Sequence, residues 1–153
     1  DKAGYDGSSA EYIVQRGLVV DGIELELKGK VNDNLDVTFG YTSMDGKNGT
    51  KDAREIPETM YSMWANYEVN PKLGLAVGVM HQGESLIKDG GTQMLPDYTR
   101  VDAAVYLMLS NDFRLQVNME NLTDELYFPH SHSTHQASVG EPLNARVSLS
   151  KRF

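Results

Sequence analysis

The sequence predicts an all-β fold, and more specifically an antiparallel transmembrane β-barrel. Two observations predict it: segments in which apolar and polar residues alternate, and a repeated order of short turns and long polar stretches. The alternation is clearest in residues 143–153, where a strand has one apolar face and one face rich in Asn, Arg and Ser. The apolar set of this segment is Leu143, Ala145, Val147, Leu149 and Phe153. An outer-membrane barrel needs such a strand, because its outside meets lipid and its lumen meets water.

Short and long polar stretches follow one another regularly along the chain. The short ones, rich in Asn, Asp and Pro, are residues 32–34, 70–72 and 110–112. The long ones are residues 43–57, 83–96 and roughly 121–142. Asn, Asp and Pro favour tight turns, and outer-membrane barrels have short periplasmic turns and long extracellular loops. This order therefore predicts that all the long loops lie at one end of the sheet.

Alternation predicts about seven strands, each near the length of about ten residues that crosses a membrane at a tilt. They span roughly residues 18–31, 35–42, 59–69, 73–80, 101–109, 113–120 and 143–153. In the third strand, Trp64 lies on one face and Tyr61, Met63, Ala65 and Tyr67 lie on the other. We predict that the latter set faces outward, since Asn66 and Glu68 on the Trp64 face would be costly in lipid.

The chain is expected to be the C-terminal part of a larger barrel. Seven strands is an odd number, whereas bacterial single-chain barrels have an even number, and an open sheet edge cannot lie in lipid. The sequence also begins at Asp1 with no signal region, which indicates a mature or partial chain. The plug domain and the earlier strands of such a barrel are expected upstream.

Composition excludes several other classes. The 14 Lys and Arg residues against 22 Asp and Glu give a net charge of -8, which disfavours nucleic-acid binding. The absence of Cys excludes disulfides and thiolate metal sites within this sequence. No apolar run approaches the length of a membrane helix.

Several motifs then resemble one family, the TonB-dependent outer-membrane receptors. The segment from Asn121 to Tyr127, Asn-Leu-Thr-Asp-Glu-Leu-Tyr, resembles the family's asparagine-leucine-x-aspartate-x-x-tyrosine signature. Residues 95–102 resemble its proline-x-tyrosine-x-x-valine-aspartate strand entry. Weaker matches are Arg16-Gly17 with residues 22–26, Ile56-Pro57 leading to Trp64 and Tyr67, and the terminal Arg152-Phe153. Thr123 and Lys151 depart from the family pattern, which often has aromatic residues there.

The resemblance implies a plugged barrel of the type with roughly 22 strands. It also implies an outer-membrane receptor and active transporter for a ferric siderophore, energised by the TonB complex through an N-terminal part that is absent from this chain. The implied partners are outer-membrane lipid and the barrel assembly machinery, which recognises the closing strand at Val147, Leu149 and Phe153. No nucleic acid, cofactor or catalytic metal is expected.

The last long loop contains the candidate ligand-binding residues, because it holds three of the chain's four histidines within six residues. The candidates are Tyr127, Phe128, His130, His132 and His135. Imidazoles and aromatic rings suit hydrogen bonding and stacking against a chelate. Direct metal ligation is the weaker interpretation, since a ferric siderophore already saturates its iron. The simplest alternative is a solvated loop whose histidines have no specific role.

Other residues are interpreted structurally. Asp102 and Asp124 are expected to hold the ends of strands. The strand glutamates are expected to face the lumen and to pair with basic residues; the residues concerned are Glu24, Glu26, Glu68 and Glu120 with Lys28, Lys30, Arg100 or Arg114. No set of nucleophile, base and orienting group is evident, so the chain is not expected to be an enzyme.

Two alternatives from other classes remain open at this point. One is a soluble β-sandwich module that binds carbohydrate or a surface, in which the apolar faces form a core. The other is a different outer-membrane barrel, either an autotransporter pore or a barrel enzyme. Solubility without detergent separates the first from a membrane barrel, and the signature from Asn121 to Tyr127 argues against the second.

The implied assembly role of the C-terminal residue is testable. Phe153→Ala in the full-length protein should lower the amount of folded, heat-modifiable barrel in the membrane, because the assembly machinery then loses part of its recognition end. The matched control is Lys151→Ala, which changes a residue outside the recognition set Val147, Leu149 and Phe153. Equal amounts of folded barrel in the Phe153 variant and the wild type, at modest expression, would contradict this role.

Overall fold

The computed structural model describes residues 2–5, 12–15, 17–110 and 112–152. Arg16, Asn111 and Phe153, which the sequence analysis used, lie outside the described residues. In chain order the strands are β1 (Lys2–Tyr5), β2 (Tyr12–Gln15), β3 (Leu18–Asn32), β4 (Leu35–Asn48), β5 (Lys51–Asp52), β6 (Thr59–Asn70), β7 (Leu73–Gln82), β8 (Ser85–Leu86), β9 (Met94–Leu95), β10 (Tyr98–Met108), β11 (Phe113–Glu120), β12 (His130–Ser131), β13 (Ala137–Ser138) and β14 (Asn144–Lys151). One 3₁₀ turn, Ser133–His135, joins β12 to β13.

Seven long strands form one antiparallel sheet in the order β14-β11-β10-β7-β6-β4-β3. The seven predicted strands are therefore confirmed. Each pairs with the next long strand of the chain, so the sheet is an up-and-down meander that is not closed. The short strands add β5 to the edge of β4 and form the separate pairs β1–β2, β8–β9 and β12–β13. Sequence analysis did not predict these short strands.

The strand β4 extends six residues beyond its predicted end at residue 42. β3 has 15 residues and β4 has 14, and their pairing continues out to Leu18 opposite Asn48. Residues 43–48 were predicted to begin a long loop, which is wrong. They continue as strand because β3 provides a partner for every one of them.

The three short turns share one local device. The side chain of the residue that opens each turn accepts the backbone N–H two residues later, which holds the chain in a tight bend. Asn32 Oδ1 accepts from Asn34 N at 2.9 Å, and Asn70 Oδ1 accepts from Lys72 N at 2.9 Å. Ser110 Oγ accepts from Asp112 N at 3.4 Å. These turns lie at one end of the sheet, so the long connections lie at the other.

Strand register brings the apolar residues into continuous rows on one face. One such row crosses six strands and consists of Leu35, Tyr67, Leu75, Val105, Val117 and Val147. Several members are well exposed, including Tyr67 at 47% and Val147 at 66%. The predicted outer face of β6 is confirmed, since Tyr67 lies in this row. A contiguous exposed apolar face of this extent needs an apolar environment, and no helix among the described residues is long and apolar enough to cross a bilayer.

The opposite face is mostly polar and carries the single Trp of the chain. A representative row is Asp36, Asn66, Ala76, Ala104, Asn118 and Arg146. Trp64 lies on this face, where its Nε1 donates to Asn66 Oδ1 at 3.0 Å. Its indole covers Gly78, and a Cβ at position 78 would lie 2.0 Å from the ring. Gly78 therefore leaves the space that the Trp64 ring occupies.

Gly78→Ala should destabilise the barrel by about 1–3 kcal/mol, because the added methyl forces the Trp64 ring out of its place. Gly40→Ala is the matched control on the same face, since a Cβ there meets only Ser62 Oγ at 3.4 Å. Urea unfolding of the full-length barrel in detergent measures both. Equal stability of the two variants would contradict the packing described for Trp64.

Candidate ligand-binding loops

Three long loops leave the same end of the sheet. Loop A comprises residues 49–58, loop B residues 83–97 and loop C residues 121–143. Loop A contains β5, loop B contains the β8–β9 pair, and loop C contains β12, the 3₁₀ turn and β13. Each loop therefore has some regular structure of its own, and the candidate histidines of loop C lie on a short hairpin.

Asp89 joins loop B to loop A. Its Oδ1 accepts from Arg54 N at 2.8 Å and its Oδ2 accepts from Asn48 Nδ2 at 2.7 Å. Two backbone bonds add to the link, from Gly90 N to Asp52 O and from Glu55 N to Leu86 O, each at 2.8 Å. These bonds make the two loops one connected surface.

The same contacts set the protonation state of Asp89. The N–H of Arg54 is the main cause that lowers the pKa of Asp89 below its ordinary value of 3.8, partial burial opposes it, and the Asn48 amide lowers it further. A carboxyl group whose pKa is lowered in the folded state stabilises that state above its ordinary pKa and loses this effect as the pH falls through the lowered value. The link between the loops is therefore at full strength at neutral pH.

Asn121 anchors the base of loop C and is fully buried, with 0% of its surface exposed. Its Nδ2 donates to the carbonyl oxygens of Glu125 at 2.9 Å and Glu141 at 3.0 Å, and its Oδ1 accepts from Glu125 N at 2.9 Å. Its φ is 55°, a left-handed conformation that Asn tolerates better than most residues. One side chain thus joins the start and the end of the loop.

The two aspartates hold strand ends, as predicted. Asp102 Oδ1 accepts from Asn121 N, and Asp124 Oδ1 accepts from Leu143 N, each at 2.9 Å. Asp102 Oδ2 also forms an ion pair with Arg100 Nη2 at 2.8 Å. The predicted pairing of Arg100 with a strand glutamate is therefore wrong. Asp102 lies two residues away on the same face, where its carboxylate meets the guanidinium directly.

Tyr127 is buried at this anchor, with 5% of its surface exposed. Its ring stacks on Tyr98 with 4.5 Å between the ring centroids, and its hydroxyl accepts from Arg100 Nη1 at 3.3 Å. Gly140 packs against the ring, since a Cβ there would lie 2.1 Å from Tyr127 Cζ. Sequence analysis placed Tyr127 on the ligand surface. The structure instead encloses its ring between Tyr98 and Gly140.

The histidines lie further out on the hairpin of loop C. His130, His132 and His135 are all exposed, and Phe128 is half-buried. His132 Nδ1 lies 3.0 Å from His135 Nε2. Ser131, between His130 and His132, is buried, and its N–H donates to Glu55 Oε1 of loop A at 2.8 Å. The structure thus brings His132 and His135 together and connects their hairpin to loop A.

A cleft of about 730 Å³ between loops A and B is lined by three basic residues, Lys51, Arg54 and Lys88. Lys51 pairs with Asn48 across the β4–β5 hairpin, so both lie on the polar face of the sheet. None of the three cationic groups forms an ion pair with another described residue. Sequence analysis missed this cleft, because the three residues are dispersed along a net acidic chain.

The fold and loops define the wall of an outer-membrane barrel, with one lipid-facing side and all long loops at one end. Residues 3–122 match the family described as TonB dependent receptor-like, beta-barrel, and the chain belongs to this family. It is therefore part of an outer-membrane receptor, as the sequence motifs predicted.

Two relatives and one solved structure illustrate the family. A probable TonB-dependent siderophore receptor, PiuA, of Acinetobacter baumannii is 28% identical over 153 residues, which is 88% of this chain and 20% of that protein. The ferrioxamine receptor of Yersinia enterocolitica is 28% identical over 159 residues, covering 94% of this chain and 22% of that protein. The crystal structure of PiuA superposes with a TM-score of 0.83 at 25% identity, covering 95% of this chain and 23% of that one. The chain thus spans about a fifth of these relatives.

Asn121→Ala should open the base of loop C, because it removes three hydrogen bonds to backbone groups of Glu125 and Glu141, worth about 0.5–1.5 kcal/mol each. Thr123→Ala, at an exposed position two residues away, is the control and should change little. Limited proteolysis of intact cells that express the full-length receptor reports loop opening as faster cleavage. Equal cleavage rates for the two variants would show that Asn121 does not hold the loop.

Proposed function

We propose that this chain forms the C-terminal wall of a plugged receptor of the type with roughly 22 strands, which imports a ferric siderophore with energy from the TonB complex. Family membership supports the receptor class. The two relatives, a probable siderophore receptor and a ferrioxamine receptor, support a siderophore as the ligand. The plug and the TonB contact belong to parts of the protein outside this chain.

The observation that carries the proposal is the joining of the three long loops above the polar face. Asp89 links loop A to loop B, and Ser131 links loop C to Glu55 of loop A. In outer-membrane barrels the long loops lie on the extracellular side, where a ligand first meets the receptor. A connected loop surface presents its polar groups in a fixed arrangement, which lowers the ordering cost of binding.

The chemistry of this surface suits an anionic chelate. Lys51, Arg54 and Lys88 give the cleft between loops A and B three cations, against the two carboxylates of Glu55 and Asp89 that also line it. The exposed histidines of loop C offer hydrogen-bond donors, and Phe128 offers part of an aromatic face. An iron chelate whose oxygens carry negative charge can contact both groups without any protein atom ligating the iron.

Replacing His130, His132 and His135 together with Ala should weaken binding of the ferric chelate by a few-fold to tens-fold, equivalent to about 1–2 kcal/mol for lost polar contacts. Thr134→Ala with Gln136→Ala, two exposed polar positions of the same hairpin, is the control. Binding is measured by fluorescence quenching on purified full-length receptor, with a ferric tris-catecholate as the anionic probe. Barrel stability should stay unchanged, because exposed loop residues contribute little to it.

Uptake tests the transport step separately. Cells that express the full-length receptor should accumulate radioactive iron from its cognate chelate only when their TonB system is intact. Uptake that does not depend on TonB would contradict the proposed energy source.

In the binding experiment, wild-type affinity of the triple histidine variant for the ferric chelate would show that these histidines do not contact it.

A further inference from the structure

His132 and His135 form a close pair at the tip of loop C. Nδ1 of His132 and Nε2 of His135 are 3.0 Å apart. The two rings meet edge to face, with an interplanar angle of 84° and 5.0 Å between their centroids. Both side chains are exposed to solvent, so a small ligand can reach these nitrogens without any movement of the backbone.

Local backbone structure explains why these two histidines meet while His130 stays apart. The 3₁₀ turn Ser133–His135 begins directly after His132, and side chains three residues apart in a 3₁₀ turn eclipse one another. His130 precedes the turn and pairs instead with Ser138 on β13. Of the three imidazoles, only those of His132 and His135, which are three residues apart across this turn, therefore lie on the same side of the loop.

The turn is held from both sides. The β12–β13 hairpin closes around it, and His132 N donates to Gln136 O at 2.8 Å. Ser131 is also bound through its N–H to Glu55 of loop A at 2.8 Å. The two imidazoles therefore project from an ordered turn, which reduces the entropy lost when both bind one ion.

The distance between the two nitrogens fits a shared metal ion. Imidazole nitrogens bind Zn²⁺ at about 2.0–2.1 Å. Two of them on one ion, at an angle of about 90–110°, are therefore about 2.8–3.4 Å apart. The observed 3.0 Å lies in that range. Neutral imidazole also suits Cu²⁺ and Ni²⁺.

We propose that His132 and His135 bind one divalent transition-metal ion of the Cu²⁺, Ni²⁺ or Zn²⁺ class through Nδ1 and Nε2. The two nitrogens are within hydrogen-bond distance without metal, so the ring that donates across this contact must move that proton to its other nitrogen when the ion binds. Each neutral ring then carries its single proton on Nε2 of His132 or Nδ1 of His135, and no proton is released. The described residues contain no cluster of three or more His, Cys, Asp or Glu residues that could hold a metal ion. Within the described residues, His132 and His135 would thus be two protein ligands of an ion whose other coordination positions are open to water.

This site shares His132 and His135 with the proposed chelate surface, but it uses them in a different chemistry. A ferric siderophore satisfies its iron with its own donor atoms, whereas this pair needs an ion with open positions. The proposal therefore does not rest on siderophore transport, and the two can fail independently. It gives the outer end of loop C an affinity for metal ions that carry no chelator.

Metal binding to purified full-length receptor at pH 7.5, without any chelator, tests the proposal. Zn²⁺ affinity is measured by calorimetry, and bound Cu²⁺ is examined by electron paramagnetic resonance for splitting by two nitrogens. His132→Ala and His135→Ala should each lower the affinity of this site by at least about tenfold, because each leaves a single imidazole without the benefit of a linked second ligand. The double variant should lose the residual affinity of the single imidazole as well, but by less than the sum of the two single losses, since the pair acts as a unit.

His130→Ala is the matched control, since it removes an imidazole from the same loop but outside the pair, and it should keep the metal affinity within about twofold. Heat-modifiable migration shows that every variant remains folded. An equal loss of metal affinity in His130→Ala would show that the histidines of the loop bind metal without forming a specific pair, and it would contradict the proposal. Unchanged affinity in both His132→Ala and His135→Ala would overturn the proposal. Ferric-chelate binding, measured separately, is not expected to follow the same pattern.

Discussion

Within the hydrocarbon of a bilayer each backbone N–H and C=O group needs a partner, since no water is present to provide one. In this chain the antiparallel ladders from β3 to β14 provide the partners, and their register decides which side chains meet lipid. Because side chains alternate along a strand, a slip of one residue between β10 and β11 would move Val105 and Val117 to opposite faces. The apolar row therefore requires the correct register between each pair of neighbouring strands. The polar face below the long loops requires the same registers.

Where the ladders end, polar side chains take over the pairing. Asn121 satisfies backbone groups at both ends of loop C, and Asp102 caps the strand end beside it. Beyond this anchor the loops bind one another, through Asp89 between loops A and B and through Glu55 between loops A and C. The candidate ligand surface and the histidine pair are thus connected to the membrane-spanning wall by hydrogen bonds to buried or half-buried groups. Loop function and barrel register are physically coupled through them.

The elements that sequence analysis predicted correctly are those determined by local patterns. Alternation has a period of two residues, so the seven long strands and the outer face of β6 can be read directly. The three tight turns depend on Asn and Ser side chains that act within two residues. The family motifs are also contiguous segments, and Asn121 and Asp102 proved to be their structural centre.

What sequence analysis missed depends on contacts between distant segments. Ser131 and Glu55 are 76 residues apart in sequence, and Asp89 and Arg54 are 35 apart. No local pattern indicates these contacts, the basic cleft or the extra length of β4. Tyr127 is the exception, since its place within the asparagine-leucine-x-aspartate-x-x-tyrosine signature could have assigned it to the strand-end anchor. The histidine pair needed the 3₁₀ turn, which a spacing of three residues alone does not specify.

One face of this sheet meets lipid and the other meets water, and spin labels on the two faces test this directly. Single cysteines at Val77, Val105 and Val147 place a spin label on the apolar face, and cysteines at Glu26, Ser62 and Arg146 place it at exposed positions of the polar face. In full-length receptor that lacks other reactive thiols and is reconstituted in lipid bilayers, collision rates of each label are measured with oxygen and with a water-soluble nickel complex. We expect high oxygen and low nickel accessibility for the three labels on the apolar face. The three labels on the polar face should have lower oxygen accessibility. Equal accessibilities on the two faces would contradict this expectation.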